Sequence, residues 1–447
     1  MDLPPSTVQH PFPGGLVVTV PDDLSLMTPF VLAEQGDWFE GEIRFVRRWL
    51  DEGMAVVDVG ANYGLYTLTC AQRVGTAGRV WAYEPASLPR SCLAHSLAAN
   101  GLSGVRLFGR ALSDHVGTAR LGVSANAELN SLNLPGGSGE TVPLTTLDAE
   151  AAVWDRPVDF LKLDAEGEEV RILAGARAFF AAQDPLVMFE YNHGDAVNRG
   201  LLEAVAGLGL SLYRHLPGLN VLVPIARVAA LDPFQLNVFA CRSGRAGRLA
   251  EGGLLVDRPA ELPPAGSAVP LQFAAASSGA PALPGAEQSL LAVADLRRGE
   301  EEGLPPAVRL ALQRRGFAAI RNALSQRATV PRLLTAARVA LDLGERAISA
   351  GYLQRAAALL TAQSRPQAEP FLPAARWHDA LVSGEPDPAV WAVLVDEPLL
   401  ERSAFSLYFH ESKAVPLLRR IAGNERRTPW AERRLAAARR IMPAGSF

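Results

Sequence analysis

The stretch Val56–Val57–Asp58–Val59–Gly60–Ala61–Asn62–Tyr63–Gly64, continued by Leu65–Tyr66–Thr67–Leu68, decides the fold. A short apolar run ends in an acid, a loop with two glycines follows, and a helical pattern then begins. This order predicts a buried parallel strand, a tight turn, and a helix whose free N–H groups face a ligand. Gly60 and Gly64 permit positive φ. A dinucleotide fingerprint would need glycines at positions 62 and 65, where Asn and Leu stand instead, so the loop has the wrong spacing for NAD.

About 20 residues further on, Val80–Trp81–Ala82–Tyr83–Glu84–Pro85 predicts a second strand ending in a carboxylate. An acid at that place accepts hydrogen bonds from the two hydroxyls of a ribose. Asp58, the glycine loop and Glu84 together suit S-adenosylmethionine better than NAD. Read without a ligand, the same pieces are an ordinary strand–turn–helix with a solvated glutamate.

Outward from this unit, a strand is expected at Gly15–Val20 and a helix at Glu40–Asp51, with Ile43, Val46, Arg47 and Leu50 at helical spacing. Pro89–Asn100 reads as a crossover helix stopped by Gly101, and Val105–Phe108 as the third strand. Ser113 follows that strand, where an adenine would lie. A β-rich insertion over 117–146 carries Asn130–Asn133 and a turn at Pro135–Gly139. The next buried strand, Val158–Asp164, runs into a helix at 168–182. Glu168 and Glu169 have a plain explanation as acids at a helix N-terminus. Asp164 and Glu166 stand instead at the carboxyl end of a parallel strand, where open α/β sheets place ligands. Pro185–His193 forms the fifth strand, putting Glu190, Asn192 and His193 beside them. A helix at 198–208 and strands at 210–213, 221–223 and 237–241 complete a mostly parallel sheet of about seven strands.

Lysine usage is informative. Lys162 and Lys413 stand against 41 arginines. Lys162, flanked by acids, suggests a compact ammonium used as a point charge, which a planar guanidinium supplies less well.

From Ser243 to Pro306 the chain turns to Ala, Pro, Gly and Ser, as linkers do, with a short helix at Leu290–Leu296. Residues 307–363 read as helices, and Leu343–Gly344, Ala347, Ala356 and Leu360 partly match a tetratricopeptide helix pair. Further helices are expected at 388–410 and 428–442, with Trp377, Trp391, Phe405, Tyr408 and Phe409 as core. Expected domains are therefore 1–242, a linker at 243–306 and an all-α region at 307–447. Residues 1–304 carry a balance of −13 and residues 305–447 of +9. Such opposite signs would help the halves dock or let the C-terminal part meet an acidic partner, with solvated helix faces as the plainer reading. A protein partner or self-association through the C-terminal helices is a further expectation.

No window approaches the roughly 18 apolar residues of a membrane span. The start shows no secretory pattern, and the scattered Cys70, Cys92 and Cys241 have no metal spacing, so a reduced cytoplasmic setting is expected.

Taken together, the motifs resemble the FkbM-type S-adenosylmethionine-dependent methyltransferases. The matching segments are Asp58–Thr67, Tyr83–Glu84–Pro85, Ala111–Asp114, Thr146–Leu147–Asp148 and Lys162–Gly167, spread over about 45–242. Ala165 stands where the family usually has Val. The resemblance implies a class I methyltransferase fold, Rossmann-like, and O-methylation of a sugar in a glycan or natural product. It also implies that Asp58, Gly60, Asn62 and Gly64 hold the methionine part of S-adenosylmethionine, that Glu84 binds the ribose, and that Ser113 lies near the adenine. Lys162, Asp164 and Glu166 would face the acceptor, with Glu190 and His193 as further catalytic candidates. A Mg²⁺-like ion on Asp164, Glu190 and Asn192 is a secondary reading, and no resident metal is expected. No nucleic-acid partner is expected either. The rival to an enzyme is a non-catalytic scaffold in glycan assembly acting through the C-terminal helices.

Overall fold

The computed structural model describes residues 6–124, 126–132, 139–193, 196–263, 283–362, 366, 368–382, 386–409 and 414–442, with His193 and Ala196 described in the backbone alone. The chain divides into two compact units. One comprises Met1–His215, Leu222–Ala226 and Leu236–Leu255, and the other Leu216–Val221, Arg227–Gln235 and Val256–Phe447.

The first unit opens with an antiparallel hairpin, β1 (Thr7–Phe12) and β2 (Leu16–Pro21), followed by α1 (Met27–Gln35) and α2 (Glu42–Trp49). In α2, Ile43, Phe45, Val46 and Trp49 are buried, as the apolar spacing requires. Two strand–helix steps and a third strand then lay down β3 (Ala55–Val59), α3 (Leu65–Val74), β4 (Arg79–Tyr83), α4 (Ser87–Ala99) and β5 (Val105–Phe108). The insertion forms a small separate sheet of β6 (Ala111–Leu112), β7 (Gly117–Gly122) and β8 (Gly139–Thr145), in the order β6-β8-β7. Helix α5 (Leu147–Ala151) leads to β9 (Phe160–Leu163).

The helix expected at 168–182 is two, α6 (Glu169–Ala174) and α7 (Arg177–Ala182). They part at Gly175, where an added Cβ would lie 2.5 Å from the Ser113 carbonyl oxygen. Next come β10 (Leu186–Glu190), the two-residue strands β11 (Asn192–His193) and β12 (Ala196–Val197), and α8 (Arg199–Gly207). Strands β13 (Ser211–Leu216), β14 (Val221–Pro224) and β15 (Asn237–Cys241) and helix α9 (Ser243–Glu251) follow.

The main sheet has eight strands, one beyond the expected seven, in the order β14-β13-β15-β10-β9-β3-β4-β5. Strands β10, β9, β3, β4 and β5 run parallel, and β15 is antiparallel to both β10 and β13. Every residue of β3 and β9 is buried, which explains why both read as apolar runs broken by one charge each, Asp58 and Lys162. The chain builds outward from β3 to β5 and then returns to place β9 on the other side of β3. That reversal makes a topological switch point at the carboxyl ends of β3 and β9, the place where open α/β sheets form a ligand crevice.

The second unit is helical: α10 (Ala286–Gly299), α11 (Pro306–Gln326), α12 (Val330–Asp342), α13 (Arg346–Ala362), α14 (Pro388–Ser403), α15 (Val415–Ala422) and α16 (Pro429–Ile441). Within the span expected to be linker, α10 is longer than the short helix anticipated, because Ala292, Val293 and Leu296 bury one face. Of the aromatics expected in the core, Trp391 is buried, whereas Trp377 and Phe409 are exposed. Trp377 stacks on Trp430 instead, with ring centroids 5.1 Å apart. Asn133, Pro135–Ser138, Pro281, Ala282 and Lys413 lie outside the described residues.

Candidate active site

The candidate site gathers residues from several chain segments at this switch point. Asp58 is the fourth residue of β3 and almost fully buried. Its Oδ2 accepts from the Thr67 hydroxyl at 2.6 Å, and its Oδ1 lies 3.7 Å from the Lys162 ammonium. Burial pushes the Asp58 carboxyl up, and Lys162 opposes that shift. The loop after β3 turns through Gly60, Asn62 and Gly64 at φ of 73°, 49° and 90°. Its first N–H groups, from Gly60 and Ala61, both donate to the Tyr83 carbonyl at 3.0 Å, tying the turn to the end of β4.

The two glycines are required by protein neighbours. A Cβ on Gly60 would fall 1.7 Å from the Asp164 carbonyl oxygen, and one on Gly64 would fall 2.2 Å from Leu93 Cδ1 of α4. Sequence reasoning gave them to ligand approach; packing accounts for them as well.

Glu84 stands immediately after β4. Its Oε2 accepts from the Asn62 N–H and its Oε1 from the Ala86 N–H, each at 2.8 Å. Burial raises its carboxyl to about 7, against the pull of those two N–H groups. The loop and this acid are thus in direct contact, as the adenosine-clasp reading needs. Ser113, expected beside the adenine, follows β6; its hydroxyl donates to Glu168 at 3.1 Å and its N–H to the Thr145 carbonyl at 2.9 Å.

Across the crevice, Lys162 in β9 is buried with its ammonium 2.9 Å from Asp164 Oδ2 and 5.2 Å from the centre of the Tyr66 ring. Burial pulls this ammonium down, but Asp164, Asp58 and Glu40 outweigh it and hold it above its ordinary value. Parallel register pairs Phe189 of β10 with Leu163 of β9, so Glu190 emerges beside Asp164. Burial first, and Asp164 second, push Glu190 up to about 9 and Glu166 up to about 8. Glu166 has a positive φ of 48°, and its carbonyl accepts from the Ser131 hydroxyl of the insertion at 2.8 Å. Glu169 accepts from the N–H of Ala165 at 2.8 Å and of Gly167 at 3.1 Å, the capping role expected of it. His193 lies on β11, and its side chain is outside the description.

Sequence reasoning missed two acids here. Glu40 accepts from the Tyr66 hydroxyl at 2.7 Å, and Glu128 of the insertion bonds the Thr28 hydroxyl. Both carboxyls are raised, by burial foremost and by Asp164 among the charges. Neither carries a local signal: Glu40 looks like the first residue of an amphipathic helix, and Glu128 like a surface acid. Among the described residues, no three His, Cys, Asp or Glu side chains converge in an arrangement that could hold a metal ion.

This geometry is matched by a family assignment. Residues 58–205 match the model of the methyltransferase FkbM domain. The match begins on Asp58, ends within α8, and leaves the C-terminal helices outside. Among solved structures, the FkbM methyltransferase of Methylobacillus flagellatus KT is 18% identical, over 42% of this chain and 43% of that one, with a TM-score of 0.30. An S-adenosylmethionine-dependent O-methyltransferase of Thermotoga maritima is 17% identical, over 45% of this chain and 64% of its own, at 0.27. An S-adenosylmethionine-dependent methyltransferase from Aquifex aeolicus is 15% identical, over 48% of this chain and 93% of its own, at 0.28. The chain thus spans less than two thirds of the first two. No curated protein matches it.

A methyltransferase domain implies S-adenosylmethionine, and the residues present fit it. Each Glu84 oxygen takes one backbone N–H and keeps acceptor capacity for one hydroxyl of a diol. Asn62 Oδ1 is buried with no hydrogen-bond partner among the described residues, an acceptor left for a ligand donor.

Proposed function

We propose that the protein transfers a methyl group from S-adenosylmethionine to a hydroxyl oxygen of a sugar in a glycan or natural product. The observation that carries this reading is the 2.8 Å bond between the Asn62 N–H and Glu84, which joins the glycine loop to the acid of the next strand. On this reading Asp58, Gly60, Asn62 and Gly64 cradle the amino-acid end of the donor, Glu84 takes the ribose and Ser113 borders the adenine. The donor, when bound, supplies an electrophilic methyl on a sulfonium.

The chain's own residues then have three tasks. They align the acceptor oxygen in line with the methyl, and such positioning is worth about 7–11 kcal/mol in favourable cases. They remove the hydroxyl proton, for which Asp164 and Glu190, side by side at the strand ends, are the candidates. They also steady the negative charge that develops on the oxygen, the task of the Lys162 ammonium, 2.9 Å from Asp164. Glu166 completes the acceptor wall, and His193 is a further candidate for the base.

A base pushed up to about 9 is strong but mostly protonated at neutral pH. If Glu190 takes the proton, kcat/KM for the acceptor rises with pH towards 9. The test is a methyl-label assay against sugars and sugar nucleotides, with the product's linkage determined. Label in an O-methyl ether supports the proposal; label on a nitrogen or on a nucleic-acid base overturns it.

A further inference from the structure

The N-terminal segment contributes to this centre from outside the matched domain. Glu40 stands 18 positions before the first matched residue, in the turn that opens α2, where its carbonyl accepts from the Ile43 N–H at 3.3 Å. Its side chain takes the Tyr66 hydroxyl at 2.7 Å and also bonds the Trp38 side chain. Tyr66 belongs to the first turn of α3, directly after the glycine loop, and is itself buried. The Lys162 ammonium lies over its ring face, 5.2 Å from the centre, while Asp58 and Asp164 stand 3.7 and 2.9 Å from the same ammonium. A cation over an aromatic face is attracted by the ring quadrupole, more strongly where water is excluded. Core packing confines the Tyr66 ring, and the bond to Glu40 anchors its far end, the hydroxyl.

We infer that Glu40 is a positioning residue of the active centre: by fixing the Tyr66 hydroxyl it seats the aromatic face under Lys162 and so fixes the ammonium against the acceptor wall. The catalytic consequence rests on the methyl-transfer reading; the seating of Lys162 does not.

The chain's lysine usage makes the seating directly measurable, because Lys162 and Lys413 are its two lysines. Lysine labelled with ¹³C at Cε gives two resonances in the full chain, and the Tyr66 ring current moves that of Lys162 upfield. Glu40→Ala is expected to collapse this upfield shift, while Glu40→Gln, which keeps an acceptor for the hydroxyl, retains it. Tyr66→Phe keeps the ring but frees it, giving a reduced shift. In the methyl-transfer assay, Glu40→Ala is expected to lower kcat about tenfold, the scale of one ordinary hydrogen bond. Its donor affinity should change less than twofold, and Glu40→Gln should restore kcat. An upfield resonance unchanged in Glu40→Ala overturns the inference, whatever the activity. Loss of the shift with kcat unchanged refutes its catalytic half. Loss of the shift in Glu40→Ala, where the wild-type chain itself methylates no acceptor, upholds the seating and counts against the methyl-transfer reading instead.

Discussion

In the helical unit, Arg338 lies between Asp379 at 2.6 Å and Glu300 at 2.7 Å, and Arg376 forks onto the two oxygens of Asp342 at 2.6 and 2.7 Å. Arg332, fully buried, holds Glu369 at 2.9 Å and three backbone carbonyls. Arg338 and Arg376 meet carboxylates in the planar geometry a guanidinium suits, so these charges close on one another. The sheet unit gathers Asp58, Asp164, Glu40, Glu166 and Glu190 around the single ammonium of Lys162. Burial, and repulsion from Asp164, push the Asp58, Glu40, Glu166 and Glu190 carboxyls up. A network whose charges close needs nothing further, whereas one with surplus acids suits a cationic ligand, and a sulfonium is one. On the proposed function, the contrast separates buried charge that holds a fold together from buried charge kept for a ligand.

Removing the central cation breaks this comparison most severely. Lys162→Met leaves Asp58 buried without its partner, an effect of about 3–5 kcal/mol on unfolding unless the carboxyl protonates. Chemical denaturation should register that loss, and methyl transfer should fall with it. Arg332→Met in the helical unit should destabilise on a similar scale and leave donor affinity alone.

Next in size is Glu84→Gln, which keeps the shape and loses the charge that receives the donor's hydroxyls. Hydrogen bonds to a charged group are worth about 1.5–3 kcal/mol, so donor affinity should weaken roughly 10- to 150-fold. A Kd within twofold of wild type would remove Glu84 from the site.

Acidity gives a smaller, graded effect. Glu84, Glu166 and Glu190 titrate in the fold at about 7, 8 and 9, above the ordinary 4.5. Between those limits the folded chain holds more protons than the unfolded one, so stability falls as pH rises. Ligand-free protein should melt at a lower temperature at pH 9 than at pH 6, with the gap narrowing when the cationic donor is bound. Equal melting temperatures at the two pH values would contradict the surplus of acids. Smallest of all is Arg426→Ala: the pair it forms with Asp387 at 3.5 Å is exposed, and its loss should shift stability by less than about 1 kcal/mol in urea unfolding.

Much of this was legible because its physics is local. The Val56–Val59 run, the turn glycines and Glu84 lie within 30 residues, and period, breaker and strand-end acid each leave a mark in the sequence. Lys162 stood out by rarity and Asp164 by its place at a strand end. Glu40 did not, since its role comes from α2 packing beside α3, which no spacing in the chain encodes. Helix α10 was foreseen only as a short piece because its Ala-rich face resembles linker composition. The split between α6 and α7 was hidden for a similar reason: Gly175 yields to the Ser113 carbonyl, a contact with a segment 62 residues earlier.

The central claim is that the turn after β3 and the acid after β4 form one donor-binding clasp, and titration calorimetry of the full chain with S-adenosylmethionine tests it most directly. The account predicts saturable binding at one site per chain, weakened by Glu84→Gln. Absence of heat up to millimolar donor, with the protein folded, would contradict it and favour a scaffold in which the sheet has lost its ligand.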